Sequence, residues 1–124
     1  MESVESGKFI CDIKCCLIQL AKLIWCDRFQ LVVMESVESG KFICDIMIVD
    51  LLEMLYCLEW YVEVIDKFYD QVSSSGDDVL GFVVCELFGV VVCVLLWNFP
   101  LMMVVWKIGF VLLVGNSVIV KFVE

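Results

Sequence analysis

Residues 87–106 are twenty consecutive positions without a charged side chain, and beyond residue 78 the only charges are Glu86, Lys107, Lys121 and Glu124. A run of that length can cross a bilayer as a helix. One reading is therefore a small membrane-associated protein with a span near residues 87–106. The Asn98-Phe99-Pro100 tripeptide in mid-run counts against a single span. The second reading divides the run. Residues 90–96 are rich in Val and short enough for a strand, set off by Gly89 from a similar stretch at 79–86. Pro100 then opens a helix through Leu113, Gly115-Asn116 ends it, and residues 117–122 return as a strand, which makes a βαβ crossover over 90–122.

Composition narrows the chemistry. The 124 residues are 63% apolar, with 22 Val and 9 Phe but no His, no Thr, and one each of Ala, Pro and Arg. The absence of His removes Ser-His-Asp and Cys-His nucleophile pairs and imidazole metal sites from this chain. A net charge of −9 argues against nucleic acid as a partner, because phosphates need a basic surface. The eight cysteines, at 11, 15, 16, 26, 44, 57, 85 and 93, include no CxxC pair. Without that spacing two thiolates do not converge on one ion, so no metal site is expected. The opening Met-Glu-Ser-Val-Glu has neither the basic start nor the apolar core of a secretory signal, which disfavours a disulfide framework. The cysteines are expected mostly as buried small hydrophobes.

Residues 1–13 recur unchanged at 34–46, an offset of 33 that would suit a helical repeat array. However, residues 14–33 do not resemble 47–66, and no third copy follows. The first copy is thus a duplicated segment rather than a domain, leaving 14–124 as the structural unit. Within it, residues 14–30 predict a helix carrying Leu17, Leu20, Ala21 and Ile24 on one face. A second helix follows from Leu51, Leu55, Leu58, Val62, Ile65 and Tyr69, whose steps alternate between four and three, with Asp50 and Glu53 as a capping box. Its carboxylates read as a solvated face rather than as acid–base catalysts. Residues 71–78 have loop composition and lack the arrangement of a phosphate-binding P-loop.

Three stretches are specific enough to carry a family. They are Leu96-Trp97-Asn98-Phe99-Pro100-Leu101-Met102-Met103, then Trp106-Lys107-Ile108-Gly109, then Gly115-Asn116-Ser117-Val118-Ile119-Val120-Lys121 with Glu124. Together they resemble the N-terminal cofactor-binding region of the NAD(P)-dependent aldehyde dehydrogenases, whose pattern here is PWNFPLxMxxWKxGPALAxGNxVVxKPxE. Met34-Glu-Ser-Val-Glu-Ser-Gly-Lys41 is similar to that family's LESLESGKP segment, and Trp60-Tyr61 through Tyr69 to its RYYAxxxDKxxG helix. The wording Val64-Ile65-Asp66-Lys67-Phe68-Tyr69-Asp70 leans toward members similar to γ-glutamyl-γ-aminobutyraldehyde dehydrogenase. Phe42, Leu87, Leu96, Phe110 and Phe122 stand where the family has Pro, and Cys85 where it commonly has Arg. Cytosine-to-thymine changes would produce all of these, so the expectation is a hypermutated copy of a dehydrogenase gene, in which the missing Pro, Ala, Thr, His and Arg share one cause with the surplus Val, Phe and Cys; Leu113 is not explained this way.

The resemblance implies an α/β fold, a partial cofactor-binding domain of two helices, a strand pair and then a strand–helix–strand unit. It implies oxidation of an aldehyde to a carboxylic acid, NAD or NADP as cofactor, a cytoplasmic location, and an oligomer with an intact dehydrogenase as partner. By residue, it assigns Asn98 to orienting the carbonyl as it becomes an oxyanion. Trp97, Lys121 and Glu124 match cofactor-binding positions, the last two on the ribose hydroxyls. Phe99, Met103 and Trp106, spaced four and three, match one wall of the aldehyde tunnel. The family's nucleophilic cysteine and general-base glutamate lie downstream of the matching segment, so no independent activity is expected. The plainer alternatives are Asn98 as a helix cap, Phe99, Met103 and Trp106 as core, and Lys121 and Glu124 as a charged strand end.

Overall fold

A computed structural model describes residues 2–67, 71–74, 80–83 and 86–123. The N-terminal half is helical. Helix α1 (Glu2–Cys26) is longer than the helix expected at 14–30, and Asp27 separates it from α2 (Arg28–Ser39). No Gly or Pro marks that break. Asp27 leaves the helical region at φ −93°, ψ 11°, and Arg28 occupies the opened turn, its Nη1 donating to the Trp25 carbonyl at 2.7 Å. The guanidinium also sits 4.6 Å from the ring centroids of both Trp25 and Phe29.

The two copies of the 13-residue segment fold differently. Residues 2–13 are helical throughout, whereas in the second copy Gly40 adopts φ 72° and ends α2, its N–H donating to the Ser36 carbonyl. The chain then resumes as one turn, α3 (Ile43–Asp45), runs through a π-helical turn (Ile46–Asp50), and continues as α4 (Leu51–Val64) with a 3-10 end at Ile65–Lys67. Because Asp50 is already helical, it makes no side-chain cap, contrary to the capping box read from the sequence. The buried stripe is also shifted. Leu51, Met54, Leu58, Tyr61 and Ile65 face inward, while Leu55 and Val62 are only partly covered. Tyr69 lies outside the described residues.

Beyond α4, β1 (Gln71–Ser74) pairs antiparallel with β2 (Leu80–Val83). Gln71–Ser74 was expected as loop on its polar composition, and cross-strand pairing overrides that preference. Next, β3 (Val90–Leu95) and β4 (Ser117–Phe122) pair in parallel, Val90 opposite Ser117 and Leu95 opposite Phe122, with α5 (Pro100–Leu113) as the crossover between them. This is the strand–helix–strand unit expected at 90–122. The uncharged run at 87–106 is therefore shared among β3, a turn and half of α5. At about 21 Å, α5 is shorter than a bilayer core of about 30 Å. Among the described residues no helix is long and apolar enough to cross a membrane.

The core lies among the helices, where Leu17, Val32, Ile46, Leu51, Leu58, Met102 and Val105 exclude water. The β3–β4 pair is covered on one side, with Cys93 and Leu95 buried and Val90, Val92 and Val94 exposed. Among the described cysteines, only Cys93 is buried; Cys57 is half-buried, and Cys11, Cys15, Cys16, Cys26 and Cys44 are exposed and unpaired. The expectation of mostly buried thiols fails because α1 and α3 place these positions on their outer faces.

Candidate functional site

The end of α5 is fixed by two interlocked turns. Gly115 at φ 82° donates to Leu112, and Asn116 N–H to Val111, which satisfies two carbonyls at the helix end. The buried Asn116 side chain then accepts the Gly89 N–H at 2.9 Å, tying the start of β3 to the start of β4. At the opposite end of the sheet, β3 gives way to Leu96 and the Trp97-Asn98-Phe99 turn. Phe99 is the cap residue of α5, at φ −146°, ψ 63°, with Pro100 opening the helix and the Met103 N–H donating to the Phe99 carbonyl. No side chain caps this helix, so Asn98 is free of the capping role that was its plainer reading.

Asn98 lines a pocket of about 350 Å3 together with Phe99, Met102, Met103 and Trp106 from α5 and Val49, Asp50 and Glu53 from the π turn and α4. The structure thus brings four sequence-assigned residues, Asn98, Phe99, Met103 and Trp106, onto one cavity. Val49, Asp50, Glu53 and Met102 were missed, because Asp50 was read as a helix cap and helical periodicity placed Glu53 on a solvated face. No described cysteine lines the pocket. Trp97 (68% exposed) and Lys121 lie elsewhere, at the carboxyl ends of the parallel strands, Lys121 standing opposite Val94. That edge of an open parallel sheet is where dinucleotides bind in α/β folds. Lys107 reaches the same edge from α5 and donates to the Val94 carbonyl. Glu124 lies outside the described residues.

Behind the pocket is a charged cluster. Lys41 Nζ is 2.7 Å from Asp50 Oδ2 and 3.4 Å from the centroid of the Phe99 ring. Glu35 is only 2% exposed, and neither of its carboxylate oxygens has a hydrogen-bond partner. Burial, and then the Asp50 carboxylate, push the Glu35 carboxyl above its ordinary range, while the Leu101 backbone and Lys41 pull it down. A larger open groove of about 690 Å3 runs between α1 and α4, lined by Leu17, Ala21, Trp25, Leu55, Leu58 and Val62 among others. It shares no lining residue with the Asn98 pocket, and its charged lining is Lys22, Glu59 and Glu63, with no side-chain amide among its residues. The smaller pocket is therefore the candidate site.

Comparison with known proteins gives the same class. The aldehyde dehydrogenase family profile matches residues 12–124, and the chain belongs to that family. It is 47% identical over 108 residues to aminoacetaldehyde dehydrogenase of Pseudomonas aeruginosa, covering 87% of this chain and 22% of that one. Among solved structures, an indole-3-acetaldehyde dehydrogenase complexed with NAD+ superposes with a TM-score of 0.80 at 38% identity, over 97% of this chain and 25% of that one. The γ-glutamyl-γ-aminobutyraldehyde dehydrogenase of Burkholderia cenocepacia J2315 gives 0.79 at 38% identity, over 89% and 22%. The α/β partial domain expected from the sequence is thus the observed one, and the chain spans about a quarter of the length of the proteins it matches.

Proposed function

We propose that this chain is the carbonyl-orienting and ribose-binding part of an aldehyde dehydrogenase, without turnover of its own. The observation that carries this reading is the convergence of Asn98, Phe99, Met103 and Trp106 on one pocket at the carboxyl end of β3. The Asn98 side-chain amide donates to the substrate carbonyl oxygen and gains strength as that oxygen becomes an oxyanion. Phe99, Met102, Met103 and Trp106 hold the alkyl chain and keep water from it. Lys121, with Glu124, takes the ribose hydroxyls of NAD or NADP, and Trp97 flanks the same cleft; the exposure of Lys121 and Trp97 at the strand ends leaves room for a dinucleotide. The bound cofactor supplies a hydride acceptor.

Glu53 gives one side of the pocket negative charge, the Asp50 carboxylate beside it being met by Lys41. This favours an aldehyde bearing an amine at its far end, in line with the aminoacetaldehyde dehydrogenase relative. The exposed apolar side chains of β2, Leu80, Phe82 and Val83, suit contact with an intact dehydrogenase as oligomeric partner.

The test is aldehyde-dependent NADH formation by the purified chain, alongside NAD+ binding followed by ligand-observed NMR. No NADH is expected, with weak NAD+ binding lost in Lys121→Ala. NADH formation abolished by Asn98→Ala would overturn the inactivity, and binding indifferent to Lys121→Ala would overturn the ribose assignment.

A further inference from the structure

The motif Met34-Glu35-Ser36-Val37-Glu38-Ser39-Gly40-Lys41 has no role in the pocket itself, yet it places two charged side chains directly behind it. Gly40 ends α2 in a left-handed turn, and two serines fasten that turn. Ser36 Oγ donates to the Lys41 carbonyl and Ser39 Oγ to the Glu35 carbonyl, each at 2.7 Å. Lys41 is thereby fixed where its ammonium meets both Asp50 and the face of Phe99.

Lys41 is a poor candidate for a simple surface ion pair. Its partner carboxylate is almost fully covered, and the ammonium lies over an aromatic ring, a contact that strengthens as water is removed. Phe99 is the residue between Asn98 and the first turn of α5, so whatever holds its ring also holds the Asn98 amide. Glu35 approaches the same point from α2. It is buried near the Leu101 backbone at the amino end of α5. The charged groups acting on Glu35 are Asp50, from the π turn, and Lys41, from the loop after α2. One lysine facing two carboxyls is electrically balanced only while one carboxyl keeps its proton.

We propose that Lys41, Asp50 and Glu35 are positioning residues for the Asn98-Phe99 turn, Lys41 holding the Phe99 ring, Asp50 holding Lys41, and the buried Glu35 side chain bracing the first turn of α5. This deepens the reading of Asn98 as the carbonyl-orienting residue, but it is tested without aldehyde or cofactor, so either can fail alone.

The experiment is hydrogen exchange with mass spectrometry on the purified chain, comparing peptides covering residues 96–104 with peptides covering 51–64. Lys41→Met is expected to speed exchange in 96–104 about fivefold to tenfold and leave 51–64 unchanged, with Lys41→Arg restoring protection. After correction for intrinsic exchange, the wild-type 96–104 segment should loosen as pH rises from the ordinary carboxylate range through the raised Glu35 value, and Glu35→Gln should abolish that dependence. An unchanged 96–104 segment in Lys41→Met, or equal acceleration in both segments, would overturn the proposal. If Lys41→Met does not fold, the Glu35→Gln arm decides. A pH dependence identical to wild type overturns the proposal, and its loss supports it.

Discussion

Tyr61 on α4 donates its hydroxyl hydrogen to the Trp106 carbonyl on α5 at 2.9 Å, and its ring lies where a β-carbon on Gly109 would stand, 2.5 Å from Cε2. The absence of a side chain at residue 109 is thus what allows the two helices to approach at the rear of the pocket, and Trp106 takes its place in the lining from that contact. Burial, with Cys57 beside it, pushes the Tyr61 hydroxyl up to about 12, so it remains a donor at neutral pH. Gly109→Ala should cost about 1–3 kcal/mol through overpacking. Tyr61→Phe should cost about 0.5–1.5 kcal/mol for the lost hydrogen bond. Urea denaturation of each variant measures both.

The duplicated segment allows one substitution to be made in two structural settings. Gly7 lies inside α1, whereas Gly40 ends α2 at φ 72° with nothing near an added β-carbon. Gly7→Ala should therefore stabilise the chain by about 0.5–1 kcal/mol, since Ala is the better helix former. Gly40→Ala should destabilise by about 1–2 kcal/mol, the cost of a left-handed conformation for an L residue. Opposite shifts in urea midpoint are the expected result. Shifts of the same sign would show that the two copies do not differ in backbone as described.

The sequence was most legible where local chemistry and tertiary structure agree. Pro100 starts α5 and Gly115-Asn116 ends it at the positions read from the residues, because a fixed φ at one end and a left-handed turn at the other need no distant partner. The same holds for Val90–Leu95, where β-branched residues sit between Gly89 and the turn. Legibility failed where a distant group decides. Asp50 has the look of a helix cap, but Lys41, nine residues away, turns it into half of a partly buried pair. The Gly-Lys pair of the identical copies is helical at residues 7–8 and turned at residues 40–41. Glu35 shows the limit most sharply, because no periodicity marks a glutamate as almost wholly buried, and only its place in the family-like motif could have singled it out.

Glu35 also gives the stability of the chain a particular pH dependence. Its carboxyl titrates higher folded than unfolded, so the folded chain holds the proton more tightly. Stability from this group is intact below the usual carboxylate range and is lost as pH rises through the raised folded value. The urea midpoint of the wild type should fall across that window, and Glu35→Gln should remove the fall. Cys57, also raised by burial, should add a second decline at more alkaline pH that Glu35→Gln leaves in place. A wild-type midpoint that rises with pH through the first window would contradict the burial of Glu35.

Asn116 supplies a last test, one that separates a local tie from general stability. Its side-chain oxygen accepts the Gly89 N–H, while the Gly89 carbonyl independently accepts the Ser117 N–H at 2.8 Å. Asn116→Ala removes the first bond and leaves the acceptor of the second untouched. The cost should be about 0.5–1.5 kcal/mol rather than more, because Gly89 is exposed and water can replace the lost partner. Amide exchange resolved by NMR should show the Gly89 N–H losing more protection than the Ser117 N–H. Equal losses at both would mean that β3 and β4 separate together, and that Asn116 holds the whole parallel pair rather than one end of it.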